Sequence, residues 1–306
     1  MHEAICAPNG HRGTEAVINL VIEMKIFTYG TLLPGLERHH ALETARPLGP
    51  AMVSAQLHDL GSFPGVKPSS NNVTGEVFEV DEQTLHQLDR IEGFDAKHEG
   101  GSLFLRKSID ARMLSSGEVI QTQTYFAGRA MHGDAIPHGD YRRYRLEQAS
   151  TDTQWVLSYG SNMGRARLEE RFDKLGEPLG DAVRGYAEGF ELIFNKASGL
   201  GSTAFANMRF CGGDAQCPGV AYALTRRQVA QLDGCEGVRD GHYIRMGALF
   251  SGDVWSEPRV VQVYLAHPNR LVDDRLVADD YFDFILSGYR EFGFETEKLF
   301  LQRPKS

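Results

Sequence analysis

The segment Leu88-Asp89-Arg90-Ile91-Glu92-Gly93-Phe94 returns, half a chain later, as Leu232-Asp233-Gly234-Cys235-Glu236-Gly237-Val238. A duplicated segment limits the fold more than any local propensity, because whatever unit surrounds the first copy must be built twice. In both copies the preceding residues are spaced for a short helix, Leu85 with Leu88 and Val229 with Leu232 on one face. The Gly falls where a helix end needs a left-handed residue. The Glu therefore closes a helix, beside carbonyls that carry partial negative charge, which predicts a carboxyl that holds its proton more tightly than usual. Such a group suits a general base; a solvated carboxylate at a helix end is the alternative reading.

The neighbourhood of each copy repeats as well. Lys25-Ile26-Phe27-Thr28-Tyr29 reads as a strand running into Gly30-Thr31-Leu32-Leu33-Pro34-Gly35, and Trp155-Val156-Leu157-Ser158-Tyr159 runs into Gly160-Ser161-Asn162-Met163-Gly164. Helix-like segments follow, around Leu36 to Leu42 and around Arg165 to Phe172. A strand entering a helix through glycine gathers backbone N–H groups where an anion is favoured, although a plain Gly turn reads the same way. Phe63-Pro64-Gly65 marks a tight loop, and Gly75 to Val80 alternates as a half-buried strand, matched by Gly219 to Leu224. Asp81 is placed as an N-cap, and Thr225 with Gln228 forms a capping-box pattern. Each half continues with an Arg-bearing strand (Leu103 to Arg106, His242 to Arg245) and another ending Tyr125-Phe126-Ala127 or Tyr264-Leu265-Ala266. Without regular βαβ alternation, these strands predict an α+β fold on a curved sheet or barrel in each half.

A chain of 306 residues fits two domains of ordinary size. The boundary is expected at residues 147–154, which are polar and lack hydrophobic periodicity, leaving domains at 24–146 and 155–306. Asp279 to Phe292, with Tyr281, Ile285 and Tyr289 at helical spacing, is expected to be an amphipathic helix on the second domain. Residues 1–23 read as a disordered extension or a mis-assigned start, being a poor signal peptide. The net charge of -9, with no basic block, argues against nucleic acid or an anionic membrane surface as partner. No apolar run reaches the roughly 20 residues needed to span a bilayer. The four cysteines are too few and irregular for a disulfide framework or a zinc site, which suggests a reducing cytoplasm. His39, His40 and His132 show no metal-ligand spacing, so no metal is expected.

The second half, through Tyr159-Gly160-Ser161-Asn162, Phe194-Asn195-Lys196, Ala206-Asn207, Gly219 to Leu224, Leu232 to Val238 and Gly241-His242-Tyr243, resembles the γ-glutamylcyclotransferases over nearly its whole length. The first half, through Tyr29-Gly30-Thr31-Leu32, Phe63-Pro64-Gly65 and Leu88 to Gly93, resembles their AIG2-like branch, which includes γ-glutamylamine cyclotransferase. Together the resemblances cover about residues 24 to 292. They imply two tandem domains, each a small mixed β-barrel flanked by helices. They also imply cleavage of a γ-glutamyl amide by the substrate's own α-amine, giving 5-oxoproline and a free amine or amino acid without a cofactor. Carried across, the acid/base residues are Glu236 and Glu92. The glutamyl-holding loops are Val156, Leu157, Ser158, Tyr159, Gly160 and Ser161 in the second half, and Ile26, Phe27, Thr28, Tyr29, Gly30 and Thr31 in the first. A pocket-lining Tyr of the C-terminal segment is matched by Tyr281 and, more loosely in the first half, by Tyr141.

The chemistry agrees with these residue types, since an ammonium must lose a proton before it attacks and one carboxyl can later return that proton to the departing nitrogen. The first half lacks the Ser-Asn pair and the Phe-Asn-Lys segment. It is therefore expected to act on a different γ-glutamyl compound, or to serve as a binding or packing partner. Two alternatives remain at this stage: a ligand-binding module without turnover in one or both halves, and a hydrolase using Ser161 as nucleophile with His242 as base.

Overall fold

The computed structural model describes residues 23–128, 132–150, 152–199 and 202–304. The expected N-terminal extension lies, apart from Glu23, outside the described residues. Each half opens with a short apolar strand paired on both sides. β1 (Met24–Thr28) runs antiparallel to β3 (Pro64–Val80), with Thr28 opposite Glu76, and parallel to β5 (Val119–Ala127), with Ile26 opposite Gln123. β2 (Arg46–Asp59) and β4 (Phe104–Met113) complete a ring of pairings around the first half, and β6 (Asp134–Ala135) adds to the end of β2. In the second half β7 (Thr153–Ser158) runs antiparallel to β11 (Gln216–Thr225), with Ser158 opposite Val220, and parallel to β13 (Arg259–Ala266), with Val156 opposite Gln262. β8 (Ala182–Glu188) and β12 (Tyr243–Gly252) close that ring. The result is two closed mixed barrels, which leave no barrel edge unpaired.

The halves differ in one long hairpin. In the first half β2 and β3 pair almost without interruption from Arg46 to Asp59. In the second half the corresponding strands divide, so that β8 and β11 stay in the barrel while β9 (Phe190–Ala197) and β10 (Ala204–Phe210) form a separate ribbon. The break falls at Gly189, whose φ is +77° and where a Cβ would sit 2.7 Å from the Phe210 ring. The ribbon brings Ala206 against the Tyr159 loop, its Cβ 3.2 Å from where a Cβ on Gly160 would sit.

The helices follow the capping signals. α1 (Glu82–Glu92) starts at Asp81, whose Oδ1 accepts from the Thr84 N–H at 2.7 Å, and stops at the left-handed Gly93. α4 (Arg226–Cys235) opens with the reciprocal Thr225 and Gln228 bonds and ends with Glu236 as its C-cap, before the left-handed Gly237. Leu85, Leu88, Val229 and Leu232 are buried as their spacing requires.

Three expectations change. Residues 36–42 form turns and a 3-10 segment at His39–Leu42, not an α-helix, because Leu36, His39 and Ala41 N–H groups all bond three residues back. Residues 147–154 are not a free linker. α2 (Tyr141–Ala149) continues through residues 147–149 and β7 starts at Thr153, so the connection is shorter than its polarity suggests. Gly75 to Val80 is almost wholly buried, because α2 covers it and Arg142 pairs with Glu76 at 2.6 Å. α2 also rests on the second barrel, where the Gly247 N–H donates to Asp140 and Arg245 lies 3.2 Å from Glu147.

The remaining helices belong to the second half. α3 (Arg165–Phe172) buries Leu168 and Phe172, and α5 (Asp279–Glu291) buries Ile285 and Tyr289, as their spacing predicts. α6 (Thr296–Gln302) anchors through Leu299. Among the described residues no helix is long and apolar enough to cross a membrane.

Candidate active sites

The chain leaves β1 and β7 through the same turn. The Leu33 N–H donates to Gly30 O at 2.9 Å, and the Met163 N–H to Gly160 O at 3.0 Å. Gly30 must lack a side chain, since a Cβ there would lie 2.7 Å from Pro64 Cγ; at Gly160 the nearest atom is Ala206 Cβ at 3.2 Å. These close approaches let each loop pass beneath the facing hairpin. The preceding tyrosine points inward in both halves, Tyr29 donating to the Tyr125 carbonyl and Tyr159 to the Tyr264 carbonyl.

Those carbonyls belong to residues that also hold the Glu-bearing helices. The Tyr125 hydroxyl donates to Asp89 Oδ1 at 2.8 Å, and Tyr264 to Asp233 Oδ1 at 2.8 Å. Arg106 Nε lies 3.4 Å from Asp89, and Arg245 Nε 2.8 Å from Asp233. Each Asp precedes its Glu by one helical turn, so the clamp fixes the turn that presents the carboxyl. Tyrosine, tyrosine, aspartate and arginine thus recur in the same arrangement in both barrels, with the arginine held more closely in the second.

Glu236 and Glu92 each line a small pocket, partly open to solvent, together with the loop of their own half. Burial pushes the Glu92 carboxyl up to about 7, with Arg38 opposing. Burial likewise raises Glu236, against Arg171, the Asn162 hydrogen bond and Lys196. The predicted direction is right, but the leading cause is loss of water and not the helix end. Asn162 Nδ2 donates to Glu236 Oε1 at 2.7 Å, tying the carboxyl to its loop.

The structure brings most of the sequence-predicted residues together. Phe27, Thr28, Tyr29, Gly30, Thr31 and Glu92 line the first pocket; Leu157, Ser158, Tyr159, Gly160, Ser161, Glu236 and Tyr281 line the second. Ile26 and Val156 do not: alternation along the strand turns both into the apolar core, fully buried. Tyr141 does not line the first pocket either; as the first residue of α2 it packs in the barrel core. The expected anion cradle at the start of α3 is filled from within, since the Arg165 N–H donates to Glu291 Oε2 at 3.1 Å. Ser161 and His242 have other partners, the Tyr281 hydroxyl and Lys196 Nζ respectively, so the structure does not pair them as nucleophile and base.

Sequence reasoning missed several lining residues. Asn162 was visible in the matched loop, though its bond to Glu236 was not. Tyr243 and Phe104 follow from strand alternation beside the Arg-bearing positions. Arg38, in an irregular turn, carries no local signal.

A family model described as "Gamma-glutamyl cyclotransferase, AIG2-like" matches residues 26–143. The γ-L-glutamyl-butirosin B γ-glutamyl cyclotransferase of Niallia circulans is 32% identical over 127 residues, covering 41% of this chain and 80% of that protein. The chain belongs to the AIG2-like γ-glutamyl cyclotransferase family. A putative γ-glutamylcyclotransferase of Vibrio cholerae is 42% identical over 69 residues, and the chain spans 60% of that family member's length. The putative γ-glutamylcyclotransferase YkqA of Bacillus subtilis is 26% identical over 236 residues, covering 71% of this chain and 75% of that one. The crystal structure of YkqA superposes with a TM-score of 0.71 at 20% identity, covering 93% of this chain and all of that one, a likeness of fold across both halves. Family membership and these relatives together support γ-glutamylcyclotransferase-like activity.

Proposed function

We propose that each half is a γ-glutamyl cyclotransferase site, with Glu236 and Glu92 as the acid/base groups. One observation carries this reading: a half-buried helix-end carboxyl shares a small pocket with a glycine-opened loop, twice, on the same clamp. The ionised carboxyl takes a proton from the substrate's α-ammonium. The freed nitrogen attacks the γ-carbonyl carbon, closing a five-membered ring, and the developing oxyanion is received by backbone N–H groups of the loop. The bond to the leaving nitrogen then breaks as the protonated Glu delivers its proton. Two protons leave the α-nitrogen and two arrive on the departing one, so relay through a single carboxyl balances the reaction. A carboxyl with a pKa of about 7 is well matched to giving and taking protons near neutrality. Because attack is intramolecular, holding the chain bent supplies much of the roughly 7–11 kcal/mol available from positioning.

The test is to incubate the protein with a panel of γ-glutamyl dipeptides and γ-glutamyl-lysine and to quantify 5-oxoproline. Release of 5-oxoproline with the free amine is expected. Binding without product would make the halves ligand-binding modules, and release of free glutamate would mean hydrolysis.

A further inference from the structure

The two clamps use the same residue types, yet the second is braced by a helix of the first half. Arg106 lies opposite Tyr125 on the neighbouring strand, and Arg245 lies opposite Tyr264. Gln123 and Gln262 also correspond, each paired with the opening strand of its half, at Ile26 and Val156. In the first half Arg106 Nη1 and Gln123 Oε1 are both buried without a hydrogen-bond partner among the described residues. In the second half Arg245 Nη1 donates to Gln262 Oε1 and lies 3.2 Å from Glu147 Oε1. Its Nε and Nη2 stand 2.8 Å and 3.0 Å from the two carboxylate oxygens of Asp233. The guanidinium is thus gripped by a carboxylate on each side.

Glu147 belongs to α2, which is fixed to the first barrel. Its N-cap Asp140 accepts from Thr74 Oγ1 at 2.7 Å, Arg142 pairs with Glu76, and Tyr141 packs in the first core. The far end of α2 meets α4, the helix that ends in Glu236, at two points. Arg226, the first residue of α4, donates to the carbonyls of Glu147 and Ser150 at 3.3 Å and 3.0 Å, where a helix C-terminus favours a cation. At the last turn of α4, Glu147 reaches Asp233 through Arg245. Burial alone would raise the Glu147 carboxyl, but hydrogen bonds from His138 and Arg143 outweigh it and hold the group down at about 2, so it stays anionic across the neutral range.

We infer that Glu147, a residue of the first half, is a positioning residue for the second site: by holding Arg245 on Asp233 it fixes the turn that presents Glu236. This rests on the cyclotransferase reading, in which Glu236 moves the protons. A guanidinium leaning on one carboxylate can pivot with it, and a second carboxylate removes that freedom. Arg245 is buried, so losing Glu147 leaves its charge less compensated and lets the clamp shift. The Glu236 N–H bonds to Leu232 O at 2.8 Å and the Val238 N–H to Asp233 O at 3.0 Å, so movement of Asp233 is carried into the turn around the carboxyl. The effect on rate is steep, since misplacing a reacting group by about 1 Å costs up to about a hundredfold.

The experiment measures kcat and KM in a Glu92→Gln background, so that turnover reports the second site, on the γ-glutamyl dipeptide which that protein turns over best. Glu147→Gln is expected to lower kcat about three- to thirtyfold with KM nearly unchanged, because the glutamyl-holding loop is untouched. Glu147→Asp, which keeps the charge, should retain part of the rate. Combined with Arg245→Met, Glu147→Gln should cost nothing further, since both act through one contact. First-site turnover, read in a Glu236→Gln background, should not change with Glu147→Gln. An unchanged second-site kcat, additive losses with Arg245→Met, or equal losses at both sites would overturn the assignment. Should no compound turn over, the cyclotransferase reading fails by itself, and hydrogen exchange of the otherwise unaltered chain decides the brace. Glu147→Gln should then speed exchange several-fold in residues 232–238 and leave residues 88–94 as they were; equal rates at 232–238 would refute it.

Discussion

Glu92 and Glu236 close equivalent helices above equivalent clamps, yet they sit in different company. Glu236 accepts a hydrogen bond from Asn162 of its own loop and feels Arg171 and Lys196 nearby, all of which favour its ionised form. Glu92 has Arg38 as its cationic neighbour and shares its pocket with Ile91, Leu103 and Phe104. The parts that hold the carboxyl in place are duplicated; the parts that tune it and meet the rest of a ligand have diverged. The lesson is that the clamp and the surroundings are separable, and each can be perturbed alone.

The largest effect should come from the carboxyls. Glu236→Gln and Glu92→Gln are each expected to lower kcat about 100- to 10,000-fold at the altered site, while the other half keeps its substrates, as removal of a general acid/base implies. Initial-rate assays across the γ-glutamyl panel read this directly; parallel loss on every substrate would mean that the halves act as one site.

Next is Asn162→Ala, which should cost the second site about tenfold to a hundredfold through loss of a bond to a charged group. Because that bond favours ionised Glu236, its removal should move the acid limb of the second-site pH–rate profile to higher pH. First-site activity, followed in the same protein, has no such bond to lose.

Stability offers a contrast of opposite sign. Glu92 binds its proton more tightly folded, at about 7, than unfolded, near the ordinary 4.5. Between those values the native state holds more protons, so this group's contribution to stability falls as pH rises through the window and is fully unfavourable above it. Glu92→Gln should therefore stabilise the protein at pH 8 by about 1–3 kcal/mol, and by much less at pH 4, in denaturant titrations.

The smallest effect should be the most symmetric. Tyr125→Phe and Tyr264→Phe each remove one bond to the clamping Asp, and each should cost about 1 kcal/mol of stability with a modest loss of turnover at its own site. Unequal costs, measured by thermal unfolding, would show that the two clamps do not carry equal load.

Much of this architecture was legible in the sequence because it rests on local rules. Strands β1 and β7 follow from short apolar runs, and α1 and α4 from Asp81, Thr225 and the left-handed glycines. What local rules miss is set by distant partners. Gly75 to Val80 looked half-exposed because Arg142, the partner of Glu76, arrives on α2 much later in the chain. Residues 36–42 failed to become a helix where Gly35, with φ +81°, presses against Leu249 and Val260 of the other half. Asn195 and Asn207, quoted with the family pattern, bond each other at 2.9 Å, and Asn207 accepts from the Ala266 N–H, so they hold the ribbon to β13 and do not line the pocket. The pairing of Lys196 with His242 joins residues 46 positions apart and could be seen only in three dimensions.

The most direct measurement is 5-oxoproline release by the double variant Glu92→Gln/Glu236→Gln beside the two single variants, with folding checked by thermal unfolding. Each single variant should retain release from its intact half, and the double variant should release none above background. Sustained 5-oxoproline formation by the folded double variant would contradict the assignment of both carboxyls.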